Sequence, residues 1–283
     1  MIPPACVGAE LLRPADHDME DQGAVLASRI ALVVEYDGTN YMGFQWQADR
    51  PTVQDELEKA IRRLTGEGVR VVASSRTDTG VHAQGQVVSF RTVSLLPLHK
   101  FVSGLNHYLP GDVAVRTAHR LADGFHVQRS AVSREYEYRV LNRPSRSPLL
   151  DRSTWLVPGE LNVERMDEAC QFLVGEHDMA SFTSGSGTEL KNTVRRVYRA
   201  DVVREGELVA FTIVASSFLP HQIRNTAGCL VRAGLGHMSV AEFCSIMERK
   251  QPGLAGPMAP AAGLCLVRVN YSHPFEEEID ENV

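Results

Sequence analysis

The sequence predicts an α+β fold in which two βαββ-type halves form a largely antiparallel sheet with a central cleft. Three observations lead to this prediction. Strand-like apolar runs and stretches of helical periodicity occur in both halves of the chain. Their order is mixed rather than strictly alternating, which favours antiparallel pairing. Glu205-Gly206-Glu207 separates two strand-like runs and is typical of a hairpin.

In the first half, each predicted element has a local signal. The apolar run 30–36 is typical of a strand, and the turn 37–40 ends it. Thr52 is a suitable N-cap for a helix at about 53–64, where apolar residues recur at helical spacing before Gly66. The other elements predicted here are strands at 71–73, 87–90 and 113–115 and a short helix at about 98–107.

The second half repeats this pattern. Residues 136–141 alternate as a strand, and Asn162 can cap a helix at about 162–174. Ser239 and Glu242 have the spacing of a capping box that begins a helix over 239–249. The remaining elements are strands near 194–204, 208–216 and 264–269 and a helix at about 220–234. We expect the halves to meet at 116–130, with a ligand-binding cleft between them.

Composition places the chain among ordinary globular proteins, with 43% hydrophobic and 23% charged residues. No apolar run is long enough to span a bilayer, and the N-terminus lacks the basic and apolar regions of a secretory signal. The five cysteines form no Cys-x-x-Cys pair, which fits a reducing cytosol better than a disulfide framework or a zinc ribbon. We therefore expect a cytoplasmic protein with no membrane partner.

The net charge of −6 is concentrated at the two ends of the chain. Residues 1–28 carry −4 and residues 274–283 carry −5, which leaves +3 on the part between them. We predict a flexible acidic extension at 1–28, an N-terminal half at 29–116, a C-terminal half at 117–273 and an acidic tail at 274–283.

Arginines are dense between residues 116 and 152, a segment that contains eight arginines and four acidic residues. Aromatic residues stand among them or close by. Such a segment is typical of a phosphate-binding stripe with stacking groups, although a solvated, salt-bridged surface has the same composition. The residues are Arg116, Arg120, Arg129, Arg134, Arg139, Arg143, Arg146 and Arg152, with Phe125, Tyr136, Tyr138 and Trp155.

The most informative segment is Arg76-Thr77-Asp78-Thr79-Gly80-Val81-His82-Ala83, which lies between two predicted strands. Residues two apart in an extended chain face the same way, so Arg76 and Asp78 can share a face. The guanidinium would then favour an ionised carboxylate. Taken alone, an Asp-x-Gly loop is most often a turn in which the aspartate bonds its own backbone. Arg224 stands near the start of a predicted helix, where the helix N-terminus favours a bound anion. Arg224 is therefore either part of an anion site or an ordinary surface arginine.

Several further motifs accompany this segment, and together they resemble the tRNA pseudouridine synthase A family over about residues 29–272. The sequence departs from the family pattern at Ser75, where glycine is common, at Thr79, where alanine is usual, and at Val127-Gln128, where an Ala-Arg pair is usual. The accompanying motifs are Glu35-Tyr36-Asp37-Gly38, Gly43-Phe44-Gln45-Trp46-Gln47, Leu109-Pro110-Gly111-Asp112, Phe125-His126, Ser181-Phe182 and Phe218-Leu219 through Arg224-Asn225.

This resemblance implies the pseudouridine synthase fold and an isomerase that converts uridine to pseudouridine on the 3′ side of the tRNA anticodon stem-loop. It also implies a homodimer that needs no cofactor and no metal. Asp78 falls on the essential carboxylate, which acts either as a nucleophile or as a base.

The resemblance also assigns roles to four other residues. Arg76 would hold Asp78 and fill the space of the extruded base, and Arg224 would pair with Asp78 or with a phosphate. Tyr136 would stack on the uracil, and His82 would also contact the substrate.

Two other classes of protein share parts of this pattern. A non-catalytic RNA-binding module could bind RNA through exposed aromatics alone. An aspartic-type protease could use Asp78-Thr79-Gly80, but its chemistry needs two carboxylates, and the chain has no second Asp-Thr-Gly or Asp-Ser-Gly. Metal-dependent hydrolysis is disfavoured because the ten histidines show no ligand spacing.

Overall fold

A computed structural model of the chain describes residues 27–122, 124–184, 192–273 and 275. The predicted extension at 1–28 and tail at 274–283 lie almost wholly outside these residues. None of the helices described is long and apolar enough to cross a membrane. The four cysteines of the described ranges are all free thiols.

Ten strands and five α-helices are formed by the described residues, in the mixed order that the sequence predicts. The strands are β1 (Ser28–Tyr36), β2 (Val72–Ala73), β3 (His82–Thr92), β4 (Val113–Leu121), β5 (Ala131–Leu141), β6 (Trp155–Leu156), β7 (Gly175–Asp178), β8 (Val194–Glu205), β9 (Leu208–Ala215) and β10 (Leu264–Tyr271). The helices are α1 (Val53–Thr65), α2 (Leu98–Tyr108), α3 (Val163–Gln171), α4 (Gln222–Gly234) and α5 (Val240–Arg249).

All ten strands belong to one sheet, which confirms the predicted α+β class. The main path is β4-β1-β3-β10-β5-β9-β8-β7, with β2 on β3 and β6 on β5. Only the β3–β10 and β5–β6 pairs are parallel; the other seven are antiparallel. Strand β10, the last strand along the described chain, joins the two predicted halves because it lies between β3 and β5.

Local capping signals determine where the helices begin. The Thr52 hydroxyl accepts the N–H of Asp55 at the start of α1, and Ser239 and Glu242 form the predicted capping box of α5. Helix α4 begins at Gln222 rather than at 220, because His221 has a φ of +62° and cannot be part of the helix. The division into halves at 116 and 117 stays a prediction, and that boundary falls inside β4.

The alternation of strand residues separates a buried face of the sheet from a charged one. In β5, Tyr136 and Tyr138 are buried, whereas Glu135 and Glu137, which alternate with them, face the opposite side. Arg268 on β10 forms an ion pair with Glu135, with 3.0 Å between Nη2 and Oε2. Exposed pairs of this kind contribute about 1 kcal/mol at most, so the fold depends mainly on its apolar face.

Candidate active site

Asp78 lies at a cavity of about 470 Å³ that is lined by both predicted halves of the chain. One wall is the loop between β2 and β3. The others come from β5 and from residues 217–224, which lead into α4. This volume lies in the range of ligand-binding cavities, and we call it the Asp78 cavity.

The backbone of the Asp78 loop is held by the segment that follows β1. The Phe44 N–H donates to the Thr77 carbonyl at 3.1 Å, and the Gly80 N–H donates to the Tyr41 carbonyl at 3.2 Å. Gly43 has a φ of +91°, and a Cβ there would lie 2.9 Å from the Thr77 oxygen. Glycine is therefore required at position 43 by both its conformation and its close approach to the loop.

Buried polar side chains also fix the Asp78 loop through hydrogen bonds to its first residues. The Tyr36 and Thr77 hydroxyls are 2.7 Å apart, and burial raises the pKa of Tyr36, so this tyrosine stays neutral. The Gln86 amide is fully buried, donates to the Ser75 carbonyl at 2.7 Å and accepts the Ser74 hydroxyl at 3.0 Å. These bonds fix the loop before it reaches Asp78.

Arg134 ties the loop to three other segments of backbone. Its guanidinium is buried and donates to the carbonyls of Ser74 (3.0 Å), Gln128 (2.8 Å), Ser216 (2.8 Å) and Ala131 (3.3 Å). Burial lowers the pKa of Arg134, but an arginine keeps its charge in proteins. The residue therefore adds a fixed positive charge to the wall of the cavity.

Two cationic or titratable groups approach the same oxygen of Asp78. Arg224 Nη1 and His221 Nε2 each lie 3.8 Å from Oδ2. Arg224 is held in place because its Nε donates to the Ala259 carbonyl at 2.9 Å. The Asp78 side chain is 32% exposed and receives no hydrogen bond from a described residue, so it remains accessible to a ligand.

Arg76 does not pair with Asp78, contrary to the prediction. Within the described ranges Arg76 forms no ion pair, and its side chain is exposed at the edge of the Asp78 cavity. The rule for extended chains fails here because β2 ends at Ala73 and the loop turns at Asp78, whose carbonyl accepts the Val81 N–H at 3.1 Å. Of the two partners left open for Arg224, Asp78 lies 3.8 Å from it, and contact with a phosphate stays a prediction.

Tyr136 lies in the wall of the Asp78 cavity. Its hydroxyl is 2.9 Å from the Ser75 hydroxyl, and its ring meets Phe218 edge-on at a centroid distance of 5.2 Å. Burial raises the pKa of Tyr136 to about 12, and the charge of Asp78 adds to this rise. The phenol is therefore neutral at physiological pH and held in one orientation.

His82 lies outside the Asp78 cavity, so its predicted contact with the substrate is not supported by its position. As the first residue of β3, it turns towards the segment 37–40. Its Nδ1 accepts the Gly38 N–H at 3.1 Å and also lies 3.1 Å from Asp37 Oδ1. In the part of the chain that the structure describes, no group of three His, Cys, Asp or Glu residues could hold a metal ion.

The predicted phosphate-binding stripe at 116–152 is not a continuous surface. Strands β4 and β5 carry four of its eight arginines, but β1, β3 and β10 lie between them. Arg134 is buried, and Arg139 and Arg143 are paired with Glu137 and Glu207. The residues of 116–152 therefore do not form one stripe, because proximity in sequence does not determine the order of strands in a sheet, and the two ion pairs fit the alternative of a salt-bridged surface.

A different set of arginines lines the surface beside the Asp78 cavity. A cavity of about 320 Å³ shares Arg76 and Gln128 with it, and a third cavity of about 660 Å³ shares Arg70 and Val72 with the second. We call the cavity of about 320 Å³ the Trp46 cavity and the cavity of about 660 Å³ the Arg91 cavity. The Trp46 and Arg91 cavities together form the arginine groove. Its described lining includes Arg29, Arg70, Arg76, Arg91 and His126, with Glu67 as the only acid.

Sequence reasoning did not identify the structural role of four residues that shape the Asp78 cavity. Gly43 and His221 lie inside motifs that the resemblance already singles out. Gln86 is a polar residue in an apolar strand, and Arg134 stands two positions before Tyr136 on the same face of β5. Polar residues at buried strand positions were thus the available signal.

Comparison with known proteins gives one family and many relatives. The family model described as tRNA pseudouridine synthase matches residues 32–128 and 169–272, which include Asp78 and Arg224. Three similar relatives are each named tRNA pseudouridine synthase A. They come from Blochmanniella pennsylvanica (40% identical, covering 87% of this chain and 94% of the relative), Geotalea uraniireducens (40%, 86% and 99%) and Pelobacter propionicus (41%, 86% and 99%).

Among solved structures, a chain from the crystal structure of a Cbf5-Nop10-Gar1 complex matches 87% of this chain and 59% of its own length. Its TM-score of 0.34 and identity of 13% are too low to support any structural conclusion.

Proposed function

Because this chain belongs to the tRNA pseudouridine synthase family, we propose that it isomerises uridine to pseudouridine in tRNA, with Asp78 as the reacting carboxylate. The observation that carries this proposal is a partly exposed carboxylate at a ligand-sized cavity, on a loop that several elements hold in place. Asp78 is the only acid among the described residues that line this cavity. A protease of the aspartic type would need a second carboxylate there.

The reaction conserves every atom of the nucleotide. The bond from N1 to C1′ breaks, a bond from C5 to C1′ forms, the hydrogen on C5 leaves as a proton, and N1 gains a proton. No electrons are exchanged, so the chemistry requires no redox cofactor. Asp78 acts either by attacking C1′ or by taking a proton from the sugar.

Arg224 orients the carboxylate from the C-terminal half. Its guanidinium lies 3.8 Å from Asp78 Oδ2 and is largely buried, so the attraction is screened less than at an exposed site. A charged group in a fixed position costs no reorganisation when charge develops in the reaction. Arg224 is therefore proposed to act in catalysis through Asp78 and the reacting nucleotide.

The uridine must leave its helix to reach Asp78, because a stacked base cannot enter a cavity of this kind. Arg76 is free of ion pairs among the described residues and exposed at the cavity edge, which suits a side chain that fills the vacated space. Tyr136 supplies an aromatic wall for the extruded uracil, a contact worth about 1–3 kcal/mol. His82 is assigned instead to positioning of the segment 37–40.

The finer parts of the proposal rest on the family alone. The target uridines are those on the 3′ side of the anticodon stem-loop, and the enzyme acts in the cytoplasm as a homodimer without a cofactor. Sedimentation equilibrium of the purified protein tests the homodimer directly. A monomer at micromolar concentration would contradict that part and leave the proposed chemistry intact.

Incubation with unmodified tRNA transcripts tests the function. Pseudouridine is mapped by carbodiimide labelling after reaction with the wild-type protein, with Asp78→Asn and with Asp201→Asn. Asp201 is a matched control, because it pairs with Arg199 on β8 and lines none of the three cavities. We expect pseudouridine with the wild type and with Asp201→Asn but not with Asp78→Asn. Binding of tRNA without any pseudouridine would identify a non-catalytic RNA-binding module instead.

A further inference from the structure

We propose that Trp46 and Arg70 form a second nucleotide site, in which the indole stacks on an unpaired base of the RNA next to the uridine held at Asp78. This inference rests on the proposed function for the identity of the RNA. Trp46 is 43% exposed, which is unusual for the largest apolar side chain, and it lines the Trp46 cavity. Aromatic faces exposed in a basic groove are the common platform for unpaired bases.

The exposure of Trp46 does not result from a loosely held loop. Its backbone N–H donates to the Gln54 side chain at 2.9 Å, and the Gln54 N–H donates to the Phe44 carbonyl at 3.0 Å. Gln54 is buried in the first turn of α1 and also donates to the Val71 carbonyl at 3.2 Å. The indole is therefore presented to solvent from a fixed backbone, which lowers the entropy cost of stacking on it.

Arg70 gives the site its preference for a nucleotide over an apolar group. Its guanidinium carbon lies 5.4 Å from the centre of the Trp46 ring, and Glu58 holds it with an ion pair of 3.3 Å. The described lining of the Trp46 cavity contains Arg70 and Arg76 but no acid. A base on the indole would thus have its phosphates beside two arginines, whereas an apolar protein segment would leave both charges poorly solvated.

The position of the site fixes which nucleotide it would take. The Trp46 cavity shares Arg76 and Gln128 with the Asp78 cavity, so a strand that leaves Asp78 past Arg76 reaches the indole next. The Arg91 cavity continues the path beyond Arg70. Trp46 is therefore expected to contact a close neighbour of the reacting uridine rather than a distant part of the RNA.

A second exposed aromatic–arginine pair provides the matched control. Tyr198 is 47% exposed on β8, and the guanidinium carbon of Arg196 lies 6.0 Å from its ring. Tyr198 lines none of the three cavities. Replacing it tests whether any exposed aromatic beside an arginine would give the same effect.

Tryptophan fluorescence measures the stacking directly, because the chain has only two tryptophans and Trp155→Phe leaves Trp46 as the reporter. The probe is a short oligoadenylate, which contains no uridine and cannot react. We expect saturable quenching of Trp46 fluorescence. Anisotropy of a dye-labelled oligoadenylate gives the affinity of every variant, including those that lack Trp46. We expect that affinity to be at least about 5-fold weaker in Trp46→Ala and in Arg70→Ala, partly retained in Trp46→Phe, and unchanged in Tyr198→Ala. Thermal melting of each variant checks that it is folded.

A parallel kinetic measurement with tRNA separates this inference from the proposed function. We expect Trp46→Ala to raise KM at least about 5-fold and leave kcat within about 2-fold, because stacking contributes to binding on both sides of the chemical step. Unchanged affinity and KM in Trp46→Ala, or an equal loss in Tyr198→Ala, would overturn the inference even if pseudouridine forms. Oligoadenylate binding that is lost in Trp46→Ala, in a protein that forms no pseudouridine, would support the nucleotide site and reject the proposed function.

Discussion

The Asp78 loop and the arginine groove lie side by side but are held by different means. The loop is fixed through its backbone by Gly43, Gln86 and Arg134, all of them close-packed or buried. Two arginines of the groove, Arg76 and Arg91, are exposed and anchored less tightly. A chemical reaction requires the reacting atoms to be placed to well within 1 Å, whereas phosphate binding tolerates mobile side chains. Changes to the loop should therefore lower kcat, and changes to the groove should raise KM.

The largest effect should follow from Arg134→Met, which leaves four backbone carbonyls without their buried donor. We expect a loss of about 3–5 kcal/mol in the free energy of unfolding and a fall in kcat of about 100-fold or more. Urea unfolding and initial rates measure the two quantities. Arg199→Met removes an exposed guanidinium from β8 as a control and should change stability by about 0.5 kcal/mol or less. Equal losses in both variants would contradict the role of Arg134.

A smaller effect is expected from Gly43→Ala, because the new methyl group would press on the Thr77 carbonyl and the positive φ would become strained. The loop must shift, so kcat should fall about 10-fold to 100-fold while the affinity for tRNA stays within about 3-fold. Gly111→Ala is the control, since nothing lies within 4 Å of a Cβ at that position. A Gly43→Ala enzyme with a normal kcat would show that the loop is not braced by this contact.

Tyr136 tests whether the wall of the cavity acts on the reaction or only on binding. Tyr136→Leu removes the aromatic face and the bond to Ser75, and we expect kcat to fall more than the affinity for tRNA. Tyr136→Phe keeps the ring and should retain most of kcat. A defect confined to binding in Tyr136→Leu would contradict the proposed contact with the uracil.

The smallest effect should come from single arginines of the groove. Arg91→Ala should raise KM a few-fold without changing kcat, and the slope of log affinity against log salt should decrease by roughly 0.7–0.9. Arg268→Ala is the control, because Arg268 is exposed but lines none of the three cavities. A salt dependence that Arg91→Ala leaves unchanged would place the phosphate contacts on another surface.

The same contrast explains what the sequence could and could not predict. Helix starts were predictable because capping is local: Thr52, Asn162 and Ser239 each bond a backbone N–H within three residues. The motif around Asp78 was also recognisable, because the residues of the loop are contiguous. Strands β6 and β7 were not predicted, since they are only two and four residues long and gain their pairing from distant partners.

Interactions between distant segments could not be predicted from sequence spacing. The placement of β10 between β3 and β5 brings the loop of β3 close to α4, so Arg224 rather than Arg76 pairs with Asp78. The same strand order separates the arginines of β4 from those of β5, and the arginines that line the arginine groove stand between positions 29 and 91 of the sequence. Charge patterns along the chain therefore indicated that a basic surface exists but not which residues form it.

The most direct test of the account measures chemistry and binding separately for Asp78. Uridine labelled with tritium at C5 is incorporated into a tRNA transcript, because the hydrogen on C5 must leave when that carbon bonds to C1′. The account predicts that the wild-type protein releases tritium to water, whereas Asp78→Asn releases none above background and binds the same tRNA within about 3-fold. Release by Asp78→Asn near the wild-type rate would contradict it.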